Sequence, residues 1–175
     1  MAISQTTLRS KAASYSVLSE STIIANSRKL GAKRSAFLCH SHKDEDLVKG
    51  LIILFQEQGI DLYVDWKDHT MPETPNGQTA KNIQDRIRKT DLFLFLASAN
   101  SKGSRWCPWE IGYADSSQKR IYILPTSDGI SSYGNEYLEL YPRIDIGESK
   151  ATNMSGYAVF QPGNTQGTWL SSNAL

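Results

Sequence analysis

Cysteine is scarce in this chain of 175 residues, with only Cys39 and Cys107. Two thiols cannot build a disulfide framework, and no Cys-x-x-Cys or Cys/His cluster has zinc spacing. Long hydrophobic runs are missing too, since none approaches the roughly 20 apolar residues that span a bilayer. No sign of charge dominates: nineteen Lys and Arg meet eighteen Asp and Glu, a net charge of +1. That excludes a nucleic-acid binder working by bulk charge, though not a local basic patch. The signatures GxGxxG, GxxxxGK[ST], GxSxG and HExxH are absent, which removes the common nucleotide, hydrolase and zinc-protease readings. Against these absences stand 39% apolar and 21% charged residues, enough for a packed core. The expectation is one soluble domain in a reducing, cytoplasmic setting, away from membranes and nucleic acid.

The two ends differ from the middle. Residues 1–34 carry six basic residues and one acid, Glu20, a local charge of +5, which leaves −4 for residues 35–175. Their Ser and Arg content loosely resembles a transit peptide, but no apolar segment for secretion is present. The preferred reading is an N-terminal helical extension of one or two helices, packed through Leu8, Tyr15, Leu18, Ile23 and Ile24. Residues 151–175 are rich in Ser, Asn, Gly, Gln and Thr and read as a C-terminal extension. Within it, Gly156–Phe160 is a candidate edge strand.

Residues 35–150 alternate strand and helix. Ser35–Cys39 is a short apolar run, followed by the polar loop His40-Ser41-His42-Lys43-Asp44. Ser41 and Asp44 stand in capping-box spacing ahead of an amphipathic run over about 45–58, with Leu47, Leu51, Leu54 and Phe55 on one face and Gly59 as its C-cap. Asp61–Asp65 reads as a second strand, and a long polar loop from Trp66 to about Gln78 follows. A helix is expected over 79–89, then Leu92–Ala97, apolar on both faces as a central parallel strand should be. A loop from Ser98 to Arg105, a helix from Trp106 and a strand at Ile121–Leu124, stopped by Pro125, complete the pattern. This order predicts an α/β fold, an open parallel sheet with helices on both faces. Such sheets place their sites beyond the carboxyl ends of the strands, here the loops at 39–44, 65–78 and 97–106.

Those loops hold the residues that could carry chemistry. His40, His42 and His69 have no third ligand at suitable spacing, so no metal site is expected. The informative segment is Ser104-Arg105-Trp106-Cys107-Pro108-Trp109-Glu110. Pro108 suits a first helical turn, and Trp106 and Glu110 are four apart, on one face. Two readings of Glu110 stay open. It is either a first-turn acid favoured by the helix dipole, with Trp106 in the core, or a carboxylate in an apolar wall, poised to act on a sugar or a nascent cation. Spacing alone favours the former.

Four segments in order resemble a Toll/interleukin receptor (TIR) domain over roughly residues 34–146. They are Phe37-Leu38-Cys39-His40-Ser41 with Asp44 behind it; Tyr63-Val64-Asp65-Trp66 before a long loop; Phe93–Ser98, continuing through Ser101 and Ser104 to Trp106, Cys107 and Glu110; and Tyr122-Ile123-Leu124-Pro125. Cys39 departs from the pattern, where Ser is more usual, but keeps a small side chain. The resemblance implies the flavodoxin-like TIR fold. It also divides function in two: a non-enzymatic interaction module, an adaptor or host-mimicking effector, or an enzyme that cleaves NAD between nicotinamide and ribose. Glu110 and Trp106 occupy the positions that the cleaving members use, so the resemblance implies an NAD glycohydrolase or ADP-ribosyl cyclase. NAD is then substrate rather than cofactor. Glu110 is the expected catalytic residue, and Trp106, His40, Ser41, Trp66 and Lys67 are the expected substrate contacts. Asp65 reads as a structural acid at a strand end, and the two cysteines as free thiols. The resemblance further implies a homo-oligomer and a place in anti-phage signalling of the Thoeris type, where a nucleotide product reaches a separate effector protein.

Overall fold

A computed structural model describes residues 1–17, 34–64, 76–149, 151–171 and 174–175. In chain order the elements are β1 (Ile3–Ser4), α1 (Gln5–Val17), β2 (Arg34–Cys39), α2 (Glu45–Glu57), β3 (Ile60–Tyr63), α3 (Gly77–Lys89), β4 (Leu92–Leu96), α4 (Ala99–Lys102), α5 (Trp106–Ser116), β5 (Arg120–Leu124), β6 (Thr126–Ser127), β7 (Ser132–Tyr133), β8 (Arg143–Ser149), β9 (Met154–Phe160) and β10 (Gly167–Trp169). Strands β3, β2, β4, β5 and β8 lie side by side in that order, each parallel to its neighbour. Numbered along the chain, this is the 2-1-3-4-5 order of the flavodoxin-like fold. All five residues of β4 are buried, as its unbroken apolar run requires at the centre of a parallel sheet.

Strand alternation divides the core into two layers. Phe37, Phe93 and Ile121 stand in register on one face and pack with Ile83 and Ile87 of α3 and Ile111 and Ala114 of α5. Leu38, Leu94 and Tyr122 point the other way, into a layer with Leu8 of α1 and Leu47, Leu51 and Leu54 of α2. Gly59 takes φ +72° just past the end of α2, the left-handed turn expected of it. Helix α1 packs on α2 through Leu8, and Tyr15 joins the margin of that layer. The other residues expected to anchor this segment, Leu18, Ile23 and Ile24, lie outside the described residues.

Two expectations are corrected. The run Gly156–Phe160 is a strand, but not an edge. β9 pairs with β8 on one side and β10 on the other, both antiparallel. β8 interleaves charges and a glycine and β10 has only three residues, so neither stood out in the sequence pattern. Ser41 and Asp44 also form no capping box. Ser41 Oγ accepts from Lys43 N at the start of a 3₁₀ turn, His42–Asp44, while the Asp44 side chain makes no cap bond and turns inward.

Candidate active site

The carboxyl ends of β2 and β4 lie side by side, with Cys39 registered against Phe95. The loop after β2 and the loop after β4 therefore face each other, and a buried carboxylate joins them. Asp44 is 2% exposed, and accepts from Ser98 Oγ at 2.6 Å and from Asn100 Nδ2 at 2.7 Å. Ser98 is at the same time the N-cap of α4. Its Oγ accepts from Asn100 N at 3.1 Å and Ser101 N at 3.0 Å, and Ser101 Oγ accepts from Ser98 N at 2.8 Å. This capping box follows from the Ser-x-x-Ser spacing of 98 and 101. The brace by Asp44 was not foreseen, because the same residue fits a local cap equally well by spacing.

Helix α5 starts at Trp106. Its N-cap position, Arg105, supplies no side-chain bond, and Ser104 Oγ does the capping instead, accepting from Trp106 N at 3.2 Å and Cys107 N at 3.3 Å. That start takes Glu110 out of the first helical turn. The first turn of α5 holds no acid, and Glu110 sits one turn in, 6% exposed, on the sheet-facing side with Cys107, Ile111 and Ala114. A helix dipole acts mainly on its first turn, so it is not what explains a buried acid at this point. Glu110 is a carboxylate in a largely apolar wall, next to the end of β2. At that strand end the Cys39 thiol donates to the Cys107 carbonyl oxygen at 4.0 Å, and burial, this bond and the nearby charge of Glu110 push the thiol well above its usual value.

Trp106 lies one turn before Glu110, half-buried against the Phe93 layer. Its ring meets Trp109 edge to face at 5.4 Å, and Trp109 stacks on Tyr113 at 6.0 Å, so an aromatic ladder runs along α5 from the site outwards. His40 and Ser41 begin the facing loop, both half-buried. His40 Nδ1 donates to the Leu38 carbonyl at 2.9 Å, which fixes the ring at the strand end, and His42 meets it edge-on at 6.2 Å. The structure thus brings Glu110, Trp106, His40 and Ser41 to the same end of the sheet. Trp66 and Lys67, with Asp65 and His69, lie outside the described residues. Among the described residues no group of three His, Cys, Asp or Glu could hold a metal ion, and no helix is long and apolar enough to cross a membrane.

Comparison with known proteins bears on this arrangement. Residues 36–151 match the family model described as TIR domain. A Bacillus cereus (strain MSX-D12) protein named "Probable 3' cyclic ADP-D-ribose synthase ThsB'" is 36% identical over 116 residues, 63% of this chain and 60% of that protein. A Cytobacillus dafuensis protein named "Putative cyclic ADP-D-ribose synthase TIR2" is 28% identical over 95 residues, 53% of this chain and 25% of that protein. The matches thus span 60% of the first relative's length and a quarter of the second's. With the parallel sheet in 2-1-3-4-5 order and the family match across most of the chain, the protein belongs to the TIR domain family.

Proposed function

We propose that the protein cleaves the bond between nicotinamide and ribose in NAD, with Glu110 as the catalytic carboxylate. The observation that carries this reading is the burial of Glu110 at the carboxyl end of the sheet, one turn from Trp106. Nicotinamide departs as a neutral base and takes the bonding electron pair, so no general acid is required. The ribose carbon left behind acquires oxocarbenium character. A carboxylate fixed beside it stabilises that charge and accepts hydrogen bonds from the ribose hydroxyls, which is why one acid suffices where ordinary glycosidases use two. In low-dielectric surroundings such stabilisation is worth far more than in water. The Trp106 ring offers a flat wall to the nicotinamide or the ribose, and His40 and Ser41 face the nucleotide across the gap.

The ribose carbon then accepts either water, giving ADP-ribose and a proton, or another nucleophilic atom of the same molecule, giving a cyclic isomer with loss of a proton. The names of the two relatives favour the cyclic outcome. On this reading the product is a signal, of the anti-phage Thoeris type, read by a separate effector protein. The working form is a homo-oligomer, and Trp66 and Lys67 contact the adenine side of NAD.

The test is direct. Purified protein is incubated with NAD at high protein concentration, with particle size monitored, and nicotinamide and nucleotide products are separated by chromatography. Wild type is expected to release nicotinamide and Glu110→Gln to lose at least about a hundredfold in rate. Equal turnover by the two proteins would remove Glu110 from the chemistry.

A further inference from the structure

We infer that Gln5 and Thr126 are positioning residues, which fasten the loop after β4 to the N-terminal segment and so hold the backbone that leads to Trp106 and Glu110. The inference deepens the NAD-cleaving reading and rests on it for the effect on turnover. Both side chains are polar and buried, Gln5 at 6% exposure as the first residue of α1 and Thr126 at 0% in β6. Gln5 belongs to a segment that precedes the family match, which starts at residue 36. Buried polar groups are costly unless bonded, and these two are bonded in series. Gln5 Nε2 donates to Thr126 Oγ1 at 3.0 Å, and Thr126 Oγ1 donates to the Ala97 carbonyl oxygen at 2.6 Å.

The series has a fixed direction, because a guanidinium only donates and a carbonyl only accepts. Arg9 Nη2 donates to Gln5 Oε1 at 3.4 Å, which turns the Gln5 amide so that its NH2 faces Thr126. The Thr126 hydroxyl has one proton, and it goes to Ala97 because Gln5 supplies the other bond. Arg9 is held in turn by Asp46, Nε to Oδ2 at 2.6 Å. Asp46 lies two residues after Asp44, which accepts from Ser98, the neighbour of Ala97. The bonds therefore close a circuit. It runs from the start of α2 through α1 and β6 to the end of β4, and returns to the loop before α2 across the Asp44–Ser98 bond.

What the circuit grips is the first residue beyond β4. The backbone from there to the start of α5 is hydrogen-bonded step by step. Ser98 caps α4, Lys102 N donates to the Ser98 carbonyl at 3.2 Å, Ser104 N donates to that of Ser101 at 3.1 Å, and Ser104 Oγ caps α5. A shift at Ala97 is thus passed on to Trp106 instead of being absorbed by a slack loop. On the other side, β1 pairs Ile3 with Thr126 in a parallel ladder, so Gln5 is presented from a fixed backbone. Positioning of this kind acts on rate more than on binding, since a displacement of about 1 Å at a reacting group costs up to about a hundredfold.

The experiment compares wild type with Thr126→Val, Thr126→Ser, Gln5→Glu, Lys11→Ala and Glu110→Gln. Valine keeps the shape of threonine and removes the hydroxyl, serine keeps the hydroxyl, and an ionised glutamate accepts from Arg9 but has no proton for Thr126. Lys11 is the control, since its ion pair with Glu57 joins α1 to α2 outside the circuit. Amide hydrogen exchange followed by NMR reads the loop without any need for turnover. The Asn100 and Ser101 amides, both bonded to Ser98 Oγ, are expected to exchange about tenfold faster in Thr126→Val and Gln5→Glu, and at wild-type rates in Thr126→Ser and Lys11→Ala. In NAD turnover, Thr126→Val and Gln5→Glu are expected to lose about fivefold to tenfold in kcat with KM within about twofold of wild type. Wild-type exchange at both amides in Thr126→Val overturns the inference. So does faster exchange spread evenly over β2, β4 and β5, which marks a general loss of stability, and so does a Thr126→Ser that behaves like Thr126→Val. Wild-type kcat in a Thr126→Val with a loosened loop overturns the link to catalysis. If Thr126→Val does not fold, Gln5→Glu decides by the same two readings. Equal turnover by wild type and Glu110→Gln defeats the NAD reading instead, and exchange alone then decides whether the circuit holds the loop.

Discussion

Ser98 Oγ donates to the Asp44 carboxylate at 2.6 Å, and this bond closes the end of the sheet where Glu110 lies. Asp44 belongs to the loop that presents His40 and Ser41, while Ser98 opens the segment that leads to Trp106 and Glu110. One buried carboxylate therefore sets the distance between the two halves of the site. With Asn100 Nδ2 at 2.7 Å it has two side-chain donors, each bond to a buried charge contributing about 1.5–3 kcal/mol. Asp44→Ala is expected to cost about 2–4 kcal/mol in denaturant unfolding, because two donors lose their acceptor. Asp44→Asn should fold better but present an amide N–H to one donor, and so recover only part of the loss. An unchanged midpoint and slope for Asp44→Ala would show that the brace is not needed.

A second expectation concerns two glycines that look alike in sequence, each within a helix. A Cβ at Gly50 of α2 would meet the Leu8 backbone oxygen at 2.1 Å, whereas one at Gly112 of α5 would meet nothing within 4 Å. Gly50→Ala must push α1 away from α2, and overpacking against backbone costs about 1–3 kcal/mol. Gly112→Ala meets no obstacle and gains helix propensity, up to about 1 kcal/mol. Thermal melting should therefore move in opposite directions, by about 2–4 °C for each kcal/mol in a chain of this size. A neutral Gly50→Ala would mean that α1 is not held closely on α2 in solution.

These contrasts bear on what the sequence could say. Three of the parallel strands were legible because Phe37-Leu38-Cys39, Leu92–Leu96 and Ile121–Leu124 are apolar on both faces, a pattern few other settings require. The amphipathic spacing of Leu47, Leu51 and Leu54 marked α2 equally well. β8 and β10 were not legible: Arg143–Ser149 interleaves charges and a glycine, and Gly167–Trp169 has only three residues, so neighbouring strands rather than local propensity define them. At the site, Glu110 and Trp106 were singled out as a pair four apart, but spacing alone favoured a first-turn acid, and the catalytic expectation came from the resemblance. The partnership of Asp44 with Ser98 was not legible, because it spans 54 residues and depends on which strand ends the fold makes adjacent.

Acid should weaken the fold through two held carboxylates. Asp91 accepts from Ser35 N and Ser35 Oγ, each at 2.8 Å, bonds that lower its pKa and tie the start of β4 to β2. Asp128 accepts from Ser131 N, Tyr133 Oη and Ile130 N, which together pull it down to about 2. A carboxyl whose folded value lies below its unfolded one stabilises the fold fully above the unfolded value and loses that contribution as pH falls through the folded one. The window for Asp128 thus runs from 3.8 down to about 2. Denaturant unfolding between pH 5 and 2 is expected to show stability falling in this range, and falling less in Asp91→Asn/Asp128→Asn. Equal slopes for the two proteins would rule out these carboxylates as the cause.

Trp106 is the residue for which packing and function compete most directly. Its ring is only half-buried, edge-on to Trp109, which is 36% exposed. A fully buried Trp cut to Ala costs about 3–5 kcal/mol, so a half-buried one should cost roughly half that and leave a folded protein. If the ring instead walls the substrate site, Trp106→Ala should lose about tenfold or more in kcat/KM for NAD while its melting curve stays cooperative. Trp106→Phe keeps a flat apolar face and should retain most of the activity. Trp109→Ala removes the outer partner of the ladder and should change kcat/KM by no more than about threefold, since Trp106 keeps its contact with the Phe93 layer. An unfolded Trp106→Ala would make the ring a core member first. A folded Trp106→Ala with wild-type turnover would leave Glu110 without the wall proposed for it.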